Sequence, residues 1–74
     1  MRLLHGPAMK HIREALGIPA GKFAVECGIT PGYLSNIEAG RKQPSDAVIT
    51  AFANRLGVPK DDLVYTVEAT SAAA

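Results

Sequence analysis

The stretch that decides the fold of this chain is GITPGYLSNIEAGRKQPS, residues 28–45. It contains, in order, the residue types of a tight turn, a capped helix, a glycine stop and a basic loop. Gly28 can adopt a positive φ at little steric cost. Thr30 is a favourable N-cap, and Pro31 suits the first helical position. Gly40 is a natural helix stop, so the stretch predicts a short helix that leads into a small basic loop.

Helical periodicity continues on both sides of this stretch, in short blocks separated by Gly and Pro, and strand patterns are nearly absent. Five helices are predicted, within residues 7–17, 19–28, 30–40, 45–57 and 60–65. The fourth block has the cleanest apolar stripe, formed by Val48, Ile49, Phe52, Ala53 and Leu56. The fold class is therefore predicted to be all-α, a compact five-helix bundle.

The length of the chain predicts one domain, because 74 residues provide a single compact core. The domain is expected over residues 7–65, with a flexible N-terminal segment at 1–6 and a disordered tail at 66–74. The buried face of the first helix is expected to consist of Met9, Ile12, Ala15 and Leu16.

The composition argues against several classes of protein. The single cysteine, Cys27, excludes an internal disulfide and a cysteine zinc site. His5 and His11 have no second ligand at metal spacing, so no metal and no cofactor is expected. No apolar run approaches the roughly 18 residues that cross a membrane, and no secretion signal is recognised, so a cytoplasmic location is expected. No nucleophile–base pair or phosphate-cradling glycine loop is present, so neither enzyme activity nor a small-molecule substrate is expected.

Charge is distributed unevenly along the chain, although the net charge is only +1. Residues 1–45 hold six basic and three acidic residues, or +3, and residues 46–74 hold two basic and four acidic residues, or −2. Such a distribution would orient a small protein on a polyanion. Chance scatter of a few charges accounts for the same numbers equally well.

Four residues around the turn have the types that two short crossing helices require. Ala24 is small enough for close contact between helices, and Gly28 suits the turn. Leu34 and Ile37 can anchor the next helix in the core. The opposite face of that helix would then be free.

The chain resembles the lambda-repressor-like, Cro/XRE-type helix-turn-helix family from about residue 9 to residue 63. The resemblance rests on the letters FA…CGIT…YLSNIEAGRKQPS, followed by AFANRLGV. The most distinctive part is a helix ending followed by a basic pair and then by Pro-Ser. In this sequence these are Ile37-Glu38-Ala39-Gly40, Arg41-Lys42 and Pro44-Ser45. The resemblance implies a five-helix bundle whose second and third helices bind DNA.

A buried ion pair between Glu38 and Arg13 of the first helix is also implied by the resemblance. Glu38 follows a core Ile and precedes Ala and Gly, which agrees with partial burial. A buried carboxylate needs a partner, and a bidentate arginine is the best available. A solvent-exposed Glu38 is the alternative.

By motif position, the residues expected nearest the DNA bases are Thr30, Pro31, Gly32, Ser35 and Asn36. Asn36 is the best base-reading candidate, because an amide can make two bonds to adenine. Gly32 cannot read a base through a side chain, but it would let the backbone approach DNA closely. Thr30 could contact DNA, or capping could be its whole purpose.

Phosphate contacts are expected from Tyr33, Arg41, Lys42, Gln43, Lys22 and Lys10. A merely solvated loop is the alternative for residues 41–43, and Tyr33 could instead cover the junction of the third and fourth helices. Three or four phosphate contacts would give a log–log salt slope of about −3 to −4.

So few contacts predict weak binding by a single copy, so a homodimer on two half-sites is expected. Its seam could be formed by Leu63, Val64, Tyr65 and Val67. Alternatively, Leu63 and Val64 close the monomer core and nothing pairs. The family often has a phosphate-bracing Gln at the position of Ala20 and polar readers in place of Pro31-Gly32, and both departures argue against high-affinity operator binding.

These features predict a sequence-specific DNA-binding transcriptional regulator, repressor-like and of bacterial or phage origin. Its ligand would be double-stranded DNA, read in the major groove by the helix over residues 31–39. The alternative is a protein-interaction module of the same fold, such as a phage factor or an antitoxin-like partner, with little DNA affinity. Binding of random duplex DNA at low salt discriminates between the two.

Overall fold

The computed structural model describes residues 2–66. In chain order, the elements are β1 (Arg2–Leu4), α1 (Gly6–Ala15), α2 (Ala20–Glu26), α3 (Pro31–Glu38), α4 (Asp46–Leu56), a 3₁₀ turn (Lys60–Asp62) and β2 (Val64–Thr66). The first four predicted helices are therefore confirmed, and the protein is mostly helical with a small two-stranded sheet.

The predicted fifth helix over residues 60–65 is wrong, and with it the five-helix bundle. Lys60–Asp62 form a single 3₁₀ turn, and the chain then continues as β2. The residues of β2 are β-branched or aromatic and favour a strand over a helix when a partner strand is at hand. That partner is β1, which local periodicity could not reveal.

Three residues of the predicted flexible segment at residues 1–6, Arg2–Leu4, form β1 in the structure. The two strands are antiparallel, with Arg2 opposite Thr66, Leu3 opposite Tyr65 and Leu4 opposite Val64. Leu4 is only 2% exposed, so the burial of its side chain orders the strand together with the ladder. Thr66 belongs to β2 rather than to a tail, and the remaining predicted tail, 67–74, lies outside the described residues.

The core lies between the four helices and beneath β1. Its largest fully buried side chains are Met9, Phe23, Leu34, Ile37, Phe52 and Leu63. The rings of Phe23 and Phe52 stack with their centroids 5.4 Å apart, which joins α2 to α4. The predicted stripe of α4 is confirmed, since Ile49, Phe52, Ala53 and Leu56 are buried and Val48 packs at the edge of the core.

The buried face of α1 differs from the predicted one. Leu16 is 54% exposed, and the buried residues of the helix are Gly6, Met9 and Arg13. A count of apolar residues at helical spacing misses a face made of a glycine and a charged side chain. Both residues are buried because they contact α3.

Candidate nucleic-acid interface

The turn from α2 into α3 is formed by the residue types that predicted it. Gly28 has a φ of 78°, and the Ile29 N–H donates to the Ala24 carbonyl at 2.9 Å, which satisfies the end of α2. The Thr30 hydroxyl oxygen accepts the Tyr33 N–H at 3.1 Å and so caps α3. Because α3 also packs against both α1 and α2, its direction relative to the core is fixed.

The implied ion pair between Arg13 and Glu38 is present. Arg13 Nε donates to Glu38 Oε2 at 2.8 Å, and Nη2 donates to Oε1 at 3.3 Å. Arg13 Nη1 donates to the Ile18 carbonyl at 2.7 Å. The two side chains are 7% and 6% exposed. Since each charge is buried but bonded twice to the other, the pair joins the end of α3 to α1 without leaving either charge unpartnered.

The face of α3 that points away from the core consists of small residues. Gly32, Ser35 and Ala39 are exposed, and Asn36 is half-buried. Their spacing of i, i+3, i+4 and i+7 places them on one side of the helix. We call this set the outer face of α3. Asn36 carries the largest side chain on it, so the backbone lies close to the surface along most of the face.

The loop after α3 turns back over this outer face. Gly40 has a φ of 81°, and the Arg41 N–H donates to the Asn36 carbonyl at 2.9 Å. The side chains of the same two residues also meet, since Arg41 Nε donates to Asn36 Oδ1 at 2.9 Å. The residue predicted to read a base and a residue predicted to contact phosphate are thus directly bonded, which sequence reasoning did not foresee.

Gln43 does not project with Arg41 and Lys42, so the prediction that it contacts phosphate does not fit the structure. Its Nε2 donates to the Leu4 carbonyl at 3.2 Å, and its Oε1 accepts the Leu4 N–H at 2.9 Å. Both ends of the amide are therefore engaged with the backbone of β1. The side chain joins the loop to the sheet, and the free cations of the loop are Arg41 and Lys42.

Ion pairing divides the basic residues into two sets of four. The paired ones are Arg2 with Asp61, Arg13 with Glu38, Arg55 with Glu26 and Lys60 with Asp46. Within residues 2–66, four exposed cations form no salt bridge, namely Lys10, Lys22, Arg41 and Lys42. These are the four charged residues that the sequence predicted as phosphate contacts. We call them the unpaired cations.

A cleft of about 260 Å³ brings one of these cations beside the outer face of α3. Its lining residues are Lys10, Arg13, Ala20, Pro31, Ser35, Glu38 and Ala39. Lys10 of α1 therefore borders the same cleft as Ser35 and Ala39 of the outer face. Ala20, at the start of α2, also lines this cleft.

Tyr33 and the residues of the predicted dimer seam differ in how far the core buries them. Tyr33 is half-buried and packs against the core, as expected if it covers a helix junction. Leu63 is fully buried and closes the monomer core, so its predicted place in a dimer seam is wrong. Val64 packs against the core as well, whereas Tyr65 is 44% exposed. Val67 lies outside the described residues.

The residues that the structure describes contain no group of three or more His, Cys, Asp and Glu side chains placed to hold a metal ion. None of their helices is long and apolar enough to cross a membrane. Burial, and secondarily the charge of Glu26, raises the pKa of the Cys27 thiol, although Arg55 opposes the shift. That thiol is consequently a weak nucleophile near neutral pH.

Comparison with known proteins gives matches over most of the chain. The helix-turn-helix family model matches residues 9–63. An uncharacterized HTH-type transcriptional regulator, y4dJ of Sinorhizobium fredii, is 30% identical over 70 residues. That match covers 95% of this chain and 91% of the relative.

Solved structures of similar fold include two regulators. The clp gene regulator ClgR from Corynebacterium glutamicum has a TM-score of 0.74 at 32% identity, over 77% of this chain. This chain spans only 61% of that ClgR chain, so the comparison concerns the shared part. The restriction-modification controller protein C.AhdI from Aeromonas hydrophila also has a TM-score of 0.74, at 22% identity, over 78% of this chain and 88% of its own. At that identity the likeness is one of fold alone.

Proposed function

The chain belongs to the Cro/XRE-type helix-turn-helix family, and we propose that it is a transcriptional regulator that binds double-stranded DNA with α3 in the major groove. The observation that carries the proposal is the placement of the unpaired cations. They lie on α1, on the first turn of α2 and in the loop after α3, and carboxylates pair with the other four basic residues. A protein with a net charge of +1 thus keeps its free positive charge on the two helices that pack against α3 and on the loop that follows it.

In this arrangement, phosphate contacts orient the protein and the outer face of α3 meets the base edges. Because Gly32 has no side chain and that of Ser35 is short, the helix backbone can come close to the groove. Four phosphate contacts correspond to a log–log salt slope of about −3.6. So small a footprint supports weak binding by one copy, and two copies on half-sites about one helical turn apart would supply the missing affinity. Among residues 2–66, Tyr65 of β2 is the exposed part of the predicted seam and would take part in pairing.

The test compares two double variants that lose the same charge in different places. Fluorescence anisotropy follows a short duplex of random sequence titrated with protein at about 50 mM salt and at higher salt. Replacing Arg41 and Lys42 by Ala should weaken binding and reduce the salt slope from about −3.6 to about −1.8. Replacing the ion-paired Arg55 and Lys60 by Ala lowers the net charge equally and should leave the slope unchanged.

Absence of duplex binding by the unaltered protein at about 50 mM salt would overturn the DNA function, since non-specific binding depends on phosphate contacts and is strongest at low salt. That result would favour the protein-interaction module, for which the small side chains of the outer face would serve as a flat contact surface. If the salt slope of DNA binding became less steep by the same amount in both double variants, the net charge would be what matters. The unpaired cations would then have no special role.

A further inference from the structure

The hydrogen bond between Arg41 and Asn36 determines which atoms of Asn36 remain available to a ligand. A guanidinium nitrogen can only donate, so the amide atom that faces Arg41 Nε is the acceptor, Oδ1. The separation of 2.9 Å is that of a well-formed bond. Arg41 therefore takes one of the two lone pairs of Oδ1, and both hydrogens of Nδ2 remain free.

The backbone holds the two residues together independently of their side chains. The N–H groups of Arg41 and Lys42 both donate to the Asn36 carbonyl, at 2.9 and 3.3 Å. Gly40 provides the positive φ that reverses the chain at this point. Arg41 is thus returned to the outer face of α3, and its Nη groups have no hydrogen-bond partner within residues 2–66.

We propose that Asn36 and Arg41 together read one guanine, in place of an adenine read by Asn36 alone. This inference rests on the proposed function, in which the outer face of α3 meets the major groove. A bidentate adenine contact requires Oδ1 to accept from the adenine amino group while Nδ2 donates to N7. In this structure Oδ1 already accepts from Arg41, and the guanidinium donors lie beside it, so the pair presents mainly donors.

The major-groove edge of guanine is the edge that such a pair fits. Guanine offers two neighbouring acceptors, N7 and O6, whereas adenine places an amino donor beside its N7. Nδ2 of Asn36 and one Nη group of Arg41 can donate to the two guanine acceptors, and the other Nη group remains for the phosphate contact. Reading adenine would bring its amino donor to an oxygen that already accepts from the guanidinium, and so place donor beside donor, whereas guanine offers an acceptor to each residue.

The experiment is a selection of bound duplexes from a random-sequence pool, carried out with the unaltered protein and three single variants. The unaltered protein should enrich a guanine at a defined position. Asn36→Ala should lose the preference there, because it removes the donors and the group that holds Arg41. Arg41→Ala should shift the preference at that position toward adenine, because it frees Oδ1. Lys42→Ala, which removes a neighbouring cation without a side-chain bond, should bind more weakly but keep the guanine.

A second measurement tests the contact itself on one selected duplex. Replacing the selected guanine by 7-deazaguanine, which lacks the N7 acceptor, should weaken binding of the unaltered protein by about fivefold or more. It should matter far less to Asn36→Ala, whose fold is checked by its helical circular dichroism.

The outcomes separate this inference from the function on which it rests. An unaltered protein that retains no duplex overturns both. One that binds duplexes but selects adenine, or whose selected sequences do not change in Asn36→Ala, overturns the guanine contact and leaves the DNA function intact. Retention of guanine by Arg41→Ala would likewise overturn the joint reading.

Discussion

The inner and outer faces of α3 differ in what holds their side chains. On the inner face, Leu34 and Ile37 are buried in the core, and Glu38 is bonded twice to Arg13 of α1. On the outer face, no atom apart from the adjoining backbone of the helix lies within 4 Å of the position that a Cβ would occupy on Gly32. The bond that Asn36 receives there comes from the adjoining loop rather than from another helix.

This difference separates stability from recognition within one eight-residue helix. The inner face fixes where the helix lies and how it is oriented, through contacts that exclude water. The outer face contributes little to the core and is free to be matched to a ligand. Substitutions on the inner side should therefore change the free energy of unfolding, and those on the outer side should change DNA binding.

The largest effect is expected from Glu38→Ala on the inner face. The change leaves the buried Arg13 guanidinium without its carboxylate, which should lower the free energy of unfolding by about 3–5 kcal/mol. Urea denaturation followed by helical circular dichroism measures the loss. A double variant, Arg13→Met with Glu38→Leu, should lose less than the single variant, because no charge remains buried. A loss of under about 1 kcal/mol for Glu38→Ala would mean that the pair is well solvated.

The next effect concerns Gly6, which packs against the end of α3. A Cβ on this residue would lie 2.2 Å from the Ile37 carbonyl oxygen and 2.9 Å from that of Glu38. Since these are backbone atoms, Gly6→Ala must move α1, and we expect a loss of about 1–3 kcal/mol. Gly21→Ala is the matched control, because Gly21 is also helical but has open space around it. The control should stabilise by up to about 1 kcal/mol, and an equal gain at Gly6 would contradict the close contact.

The parts that sequence predicted are those specified by neighbouring residues. The cap at Thr30, the turn at Gly28 and the apolar stripe of α4 each depend on a few residues close together in the chain. The exposed positions of Arg41 and Lys42 likewise depend on the order of a helix stop and a basic pair, and their contact with phosphate stays a prediction. Such local signals survive folding, because the contacts that they specify form within one or two turns.

The parts that sequence missed depend on residues far apart in the chain. The three-residue strands have too few residues to show a pattern, and each becomes ordered only beside the other. The side chain of Gln43 meets Leu4, 39 residues away, so nothing near Gln43 distinguishes it from the two cations that precede it. The need for glycine at position 6 arises from the backbone of Ile37 and Glu38 in α3, which lie 31 and 32 residues away in sequence.

Gln43→Ala should distinguish this residue from its neighbours in the loop. Loss of the two bonds to Leu4 should lower the free energy of unfolding by about 1–2 kcal/mol. The salt slope of DNA binding should not change, because the amide carries no charge and contacts β1. Lys42→Ala should do the opposite, reducing the slope by about 0.9 with little change in stability. Denaturation and anisotropy on both variants measure the two quantities, and a weaker slope in Gln43→Ala would restore the phosphate contact predicted from sequence.

The smallest change in stability is expected at the outer face itself, from Gly32→Ala. Gly32 lies within α3, has no left-handed φ and has open space around it, so nothing in the folded chain requires a glycine there. Alanine should raise the free energy of unfolding by up to about 1 kcal/mol. The affinity for duplex DNA should nevertheless fall, because the added methyl would stand between the helix backbone and the groove. Denaturation and anisotropy on the same preparation show whether the two quantities move in opposite directions. If affinity is unchanged while stability rises, the backbone does not approach DNA closely, and the outer face must read DNA through side chains alone.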